Sequence, residues 1–121
     1  MPMKRLVLEI GQGTDLRGTD DTKAAIRAVR DALWRNSLTI APALGLSGDD
    51  MVIEVHIGCG RPETLDHAAI AEVFPYGKVT VRAQRGGMDI AKEDGSLTIL
   101  ANACVVVFLD LPDDTKTEDA A

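Results

Sequence analysis

Leu6-Val7-Leu8-Glu9-Ile10, followed by Gly11-Gln12-Gly13-Thr14-Asp15-Leu16-Arg17-Gly18, is the stretch on which the fold turns. From Met3 to Ile10 the residues alternate, with Leu6, Leu8 and Ile10 on one face and Arg5, Val7 and Glu9 on the other. That pattern predicts a strand with one buried face, its leucines inward and Glu9 outward. The three glycines that follow lie between this strand and a helix-like run, where α/β folds usually place their chemistry. Gly11, Gly13 and Gly18 would let backbone approach a ligand closely, and Asp15 with Arg17 would form an acid–base or orienting pair. The same segment reads as well as a tight structural turn.

Neither familiar phosphate-binding pattern is present. A dinucleotide fingerprint needs a third glycine where Leu16 stands, and a phosphate loop needs Gly-Lys-Ser/Thr ahead of the helix. The segment therefore marks a candidate small-molecule site without naming its ligand.

Downstream, Asp20 or Asp21 can cap a helix whose apolar positions are Ala25, Ile26, Val29, Ala32 and Leu33, ending near Asn36. Lys23, Arg27, Arg30 and Asp31 fall mostly on its other side. Residues 37–50 read as a connection broken by Pro42, Gly45 and Gly48. Met51 to Ile57 alternates again, with Glu54 and His56 on its polar side. After the Gly58-Cys59-Gly60 turn, Pro62 and Glu63 start a second helix with Leu65, Ala68, Ala69 and Val73 as its stripe, stopped at Pro75. Lys78 to Gln84 is a third strand. Met88–Ala91 and Leu97–Leu100 pair across Glu93-Asp94-Gly95 as a hairpin. The continuous apolar run Ala103–Leu109 predicts a central strand covered on both faces.

The resulting fold class is α+β, with two helices packed on one face of a four- to six-stranded mixed sheet and the other sheet face polar. Residues 1–111 form one domain, and residues 112–121 an acidic tail expected to be disordered. The polar face, carrying Glu9, Glu54, His56, Thr80, Arg82 and Gln84, is either open to solvent or packed against other subunits.

Bulk numbers narrow the function classes. The 121 residues are 45% hydrophobic and 26% charged, ordinary for a globular domain, with only 3% aromatic. Base stacking on an aromatic platform is thereby disfavoured. A net charge of −6 repels nucleic acid and anionic lipid, so neither is expected as a partner. No secretory signal or membrane-length apolar run occurs. The two cysteines, Cys59 and Cys104, lack metal or redox spacing, and a cytoplasmic setting is expected. His56 and His67 are the only histidines. His67 reads as a surface residue, whereas His56 stands beside Glu54 on one strand face, positioned for a structural hydrogen bond or for catalysis. No metal or cofactor is expected, since Glu9, Glu54 and His56 converge only if their strands are neighbours.

Gly11-x-Gly13-x-Asp15-x-x-Gly18, with Asp20-x-Thr22-x-Ala24 and Asn36-Ser37-Leu38, resembles the Lin0512 family of conserved uncharacterised proteins. The likeness extends over most of residues 3–109 through Ile57-Gly58, Pro62-Glu63, Asp66, Pro75-Tyr76-Gly77 and Gly86-Gly87-Met88. It implies a small cytosolic domain of unassigned function. The family pattern usually has histidine just before its last glycine; Arg17 stands there in this chain, which weakens histidine catalysis and suits anion binding. The expected object is a homo-oligomer with a small-molecule site at Gly11–Gly18, possessing hydrolase- or isomerase-like chemistry on a small polar or anionic metabolite. Its expected catalytic residues are Glu9, Asp15 and His56, and its substrate-binding residues Gly11, Gly13, Arg17 and Gly18. The alternative is a non-catalytic regulatory or assembly module whose polar sheet face binds protein.

Overall fold

The computed structural model describes residues 3–18, 20–34 and 40–111. The acidic tail and the Asn36-Ser37-Leu38 motif lie outside them. Strands β1 (Met3–Asp15), β2 (Val52–Cys59), β3 (Lys78–Arg85), β4 (Met88–Ala91) and β5 (Leu97–Asp110) form one mixed sheet. Its order is β1-β5-β2-β3, with β4 also pairing β5. β5 runs antiparallel to β1, β2 and β4, while β2 and β3 are parallel. Helices α1 (Asp21–Trp34), α2 (Ile40–Ala43) and α3 (His67–Ala71) complete the fold; α1 lies across β1 and β5, and α3 packs on α1 and β3.

Alternation decides the core. Ile53, Val55, Ile57 and Cys59 of β2, Met51 just before it, and Ile99, Ala101, Ala103, Val105, Val107 and Leu109 of β5 are buried under the helices. α1 meets them with Ala24, Ala25, Ala28, Val29 and Ala32, all buried. The predicted hairpin is present: Met88–Ala91 pairs with Leu97–Leu100, and Gly95 takes φ +88 at its turn, a left-handed angle that suits glycine. The Asp94 carboxylate accepts hydrogen bonds from the Ser96 N–H and Oγ, which hold it below the usual carboxylate range.

Three expectations are corrected. First, β1 does not end at Ile10. It continues through Gly11-Gln12-Gly13-Thr14 to Asp15, so most of the glycine segment is strand. Glycine inside a strand often marks the close approach of another backbone, and that is the reason here. A Cβ on Gly11 would lie 2.3 Å from the Ala28 carbonyl oxygen, and one on Gly13 2.3 Å from both the Ala24 oxygen and the Ala28 nitrogen.

Second, the faces of β1 are reversed. Glu9 stands opposite Val105 and Gly11 opposite Ala103, on the helix side; Leu8 and Ile10 stand opposite Val106 and Cys104, on the open side. A register irregularity between Arg5 and Val7 accompanies Leu6. Leu8 is 44% and Ile10 62% exposed. The open face is therefore polar over β2 and β3 but apolar over β1, where the helix demands glycine underneath and leaves the leucine side outward. β5 is correspondingly covered fully on one face only, although Val106 on its open side is also buried.

Third, the second predicted helix is divided. Pro62–Thr64 is a single 3-10 turn, with proline at its start, and α3 begins afresh at His67. The Asp66 side chain accepts the Ala69 N–H and caps α3, breaking the run. Within the expected connection, Ser47 and Asp50 form a capping box around the short turn Gly48–Asp50.

Candidate functional site

Beyond β1 the chain passes Leu16 and Arg17 to enter α1. The Asp15 carboxylate, 5% exposed, folds back over this bend and accepts the Asp20 N–H at 3.2 Å. A Cβ on Gly18 would come within 2.8 Å of that carboxylate, so Gly18 makes room for the closure. Asp20 in turn accepts the Lys23 N–H at 3.1 Å and caps α1. Lys92 Nζ donates to the Leu16 carbonyl from the β4 hairpin, and Arg27 donates to the Thr14 carbonyl at 2.7 Å.

The result is a cationic rim. One hollow of about 280 Å³ is lined by Asp15, Leu16, Arg17, Lys23 and Arg27. A second of about 370 Å³ adjoins it, lined by Asp20, Thr22, Lys23, Ile26, Arg27 and Arg30. Lys23 and Arg27 border both. The glycines contribute indirectly: by letting α1 settle onto β1, Gly11 and Gly13 bring Lys23 and Arg27 beside the strand's end. Their close backbone approach is taken up by the helix, which closes these two α-carbons to any ligand.

The expected catalytic residues do not converge. Glu9 and Asp15 are on the helix side of β1, six residues and therefore about 20 Å apart along the strand. His56 stands opposite Cys104 and points to the open side. There its Nε2 lies 3.1 Å from Glu54 Oε1. Since an ionised carboxylate only accepts, His56 donates to it from Nε2.

His56 borders a separate hollow of about 310 Å³ on the open face, with Ile10, Gly58, Gln84, Asn102 and Cys104. The register explains it. One row across the sheet reads Ile10, Cys104, His56, Arg82, and the next reads Gln12, Asn102, Gly58, Gln84. Gly58 carries no side chain in the middle of the second row, and the Gly86–Gly87 backbone lies there instead, 3.5 and 3.6 Å from where a Cβ would stand. Asn102, Gln84 and Cys104 were invisible to motif reading because only strand register brings them together. Among the described residues no group of three or more His, Cys, Asp or Glu side chains is placed to hold a metal.

A third cluster is structural. Arg61, after β2, donates from Nε and Nη2 to Asp21 at 2.7 and 3.1 Å, and from Nη1 and Nη2 to Asp89 at 3.0 and 3.2 Å. Both carboxylates hold the guanidinium even more firmly in its charged form. It ties the first turn of α1 to β4.

Comparison with known proteins now fits this geometry. Residues 5–107 match the conserved hypothetical protein family Lin0512. The chain belongs to this family. Among solved structures, this Lin0512 protein is similar to a crystallised FtsZ-like protein of unknown function from Nostoc punctiforme. The two are 32% identical with a TM-score of 0.83, over 92% of this chain and 99% of that one. No curated protein matches it. Among the described residues no helix is long and apolar enough to cross a membrane.

Proposed function

We propose that this Lin0512 protein is a homo-oligomer that binds a small anionic metabolite at the rim where β1 meets α1. The observation that carries this reading is the gathering of Arg17, Lys23, Arg27 and Arg30 around two adjoining hollows in a chain of net charge −6. A local cationic field in an acidic protein concentrates anions and orients their oxygens. Arg17, standing where the family pattern usually has histidine, supplies a bidentate donor for a carboxylate or phosphate. Asp15 serves this site by holding the bend that presents Arg17. Two free cysteines on opposite sheet faces, Cys59 and Cys104, suit a reducing cytoplasm.

Self-association is supported by the open face. Leu8, Ile10, Met88 and Ile90 all lie on it and are 44%, 62%, 58% and 51% exposed. Exposed apolar side chains grouped on one surface mark an interface.

Native mass spectrometry tests both statements. The expected result is a defined oligomer that retains an anionic small molecule. Arg17→Gln/Lys23→Gln should lose the molecule and keep the oligomer. A bare wild-type monomer would overturn the reading. A foreign protein seated on the open face, with no small molecule retained, would favour the non-catalytic assembly module instead.

A further prediction concerns the interface. Ile10→Glu is expected to dissociate the oligomer without unfolding the subunit, because the position is mostly exposed in the isolated chain. Analytical ultracentrifugation alongside circular dichroism measures this; an unchanged sedimentation coefficient would exclude the β1 side of the open face from the contact.

A further inference from the structure

We propose that Cys104, His56 and Glu54 form a thiol–imidazole–carboxylate site in the open-face hollow, taking a small acyl compound with an activated carbonyl. It lies on the other side of the sheet from the cationic rim and does not depend on it.

The geometry comes from strand register. Cys104 on β5 and His56 on β2 are directly opposite, which places their Cβ atoms about 4.5–5.5 Å apart. Glu54, two residues before His56 on the same face, accepts the Nε2 proton at 3.1 Å. That engages Nε2 and leaves Nδ1 as the ring nitrogen for proton transfer, the arrangement in which a carboxylate orients a base for a nucleophile. The imidazole and carboxylate side chains are 41% and 31% exposed, so the group opens to solvent and small molecules. The hollow beside it is lined by Gly58, Gly86, Asn102 and Gln84, with the Gly86–Gly87 backbone lying against Gly58. An acyl compound in this hollow stands beside the Cys104 row.

Burial raises the Cys104 thiol above its ordinary range, opposed by Arg5. The resting group is therefore a thiol, and a base is needed to make it a nucleophile. The charged groups facing it are Arg5 from β1, His56 and Glu54 from β2, and Arg82 from β3. In the reaction the Cys104 proton passes to His56 Nδ1 as Sγ bonds to the carbonyl carbon. The bond from that carbon to the leaving group breaks, and the leaving group takes the proton from Nδ1. Water then gives a proton to Nδ1 and attacks the thioester; its oxygen stays on the acyl group, and the proton returns to Sγ. The carboxylic acid leaves and the thiol is restored. The second cysteine, Cys59, is fully buried on the helix side and serves as an internal comparison.

The probe is p-nitrophenyl acetate with the full chain, following nitrophenolate release and locating the acetyl group by peptide mass spectrometry. Acetylation of Cys104 is expected, with a rate that rises with pH and levels off earlier than an unassisted thiol would. His56→Asn should slow it at least about tenfold and leave only the thiol's own later rise. Glu54→Gln should move the pH profile, a change that a merely structural contact would not produce. Acetylation elsewhere, or equal rates and profiles in His56→Asn and Glu54→Gln with unchanged circular dichroism, would overturn the proposal. Both positions are partly exposed, so either variant alone decides if the other fails to fold.

Discussion

Gly13→Ala is expected to abolish folding of this domain. The added carbon would sit 2.3 Å from the Ala24 oxygen and the Ala28 nitrogen and 2.7 Å from the Arg27 carbonyl carbon. All three are backbone atoms of α1, so no rotamer change relieves the contact. The helix would have to rise by roughly an ångström or more along its contact with β1, opening voids beneath Ala24, Ala28 and Ala32. Ordinary overpacking costs about 1–3 kcal/mol. A backbone-on-backbone clash at the main helix–sheet contact belongs with the exceptional losses above about 4 kcal/mol, against a total of about 5–15 kcal/mol for a domain. Insolubility, or a urea midpoint near zero, is the expected readout. Gly95→Ala is the comparison: nothing lies within 4 Å of its added carbon, and only the positive φ is penalised, by about 1–2 kcal/mol. Similar losses at the two positions would refute the close-packing account.

Arg61→Met should produce the second large loss, about 3–5 kcal/mol in a urea titration. The reason is asymmetry of burial. The Asp21 side chain is 1% exposed while Arg61 is 29%, so removing the guanidinium strands a buried carboxylate away from water. Asp89, at 31%, keeps solvent, and Asp89→Asn should cost no more than about 1 kcal/mol. The double change Asp21→Asn/Arg61→Met should recover much of the loss, because no charge is then left buried. A double variant no more stable than Arg61→Met would show that packing of the arginine stem, not charge, dominates.

Much of the architecture is legible from local pattern. β2, β3 and the hairpin follow from alternation and from Gly95, and α1 from its capping aspartates and the stripe Ala25, Ile26, Val29, Ala32 and Leu33, although Ala24 and Ala28 are buried in place of Ile26 and Leu33. β1 shows where such reading ends. Alternation offered Leu6-Leu8-Ile10 or Val7-Glu9-Gly11-Gly13 as the inner face, and hydrophobicity favours the first. The decisive quantity is separation: small residues on α1 and on β1 let two backbones touch, and that contact outweighs the burial of three leucine-sized side chains. Nothing local announces it except glycine spaced two apart ahead of alanine spaced four apart. Arg61 and Asp21 are separated by 40 residues, beyond any periodicity. Of the candidate residues, Arg17 was readable from the family pattern, whereas Lys23, Arg27 and Arg30 looked like an ordinary solvated helix face. Cys104, Asn102 and Gln84 needed the strand order before they had neighbours at all.

β5 borders β1, β2 and β4 at once, yet it is the last of the five strands in the chain. On the ribosome the domain must therefore wait. β1 can rest against α1, but without β5 it has no strand to pair with among the described residues, and β2 has only β3. Every long-range pairing of β1 closes a loop of more than eighty residues, so the fold is assembled late and as a unit, not progressively from its amino end. Until then its apolar strands are carried as open chain, and a truncation ahead of Leu97 would leave no smaller native piece behind.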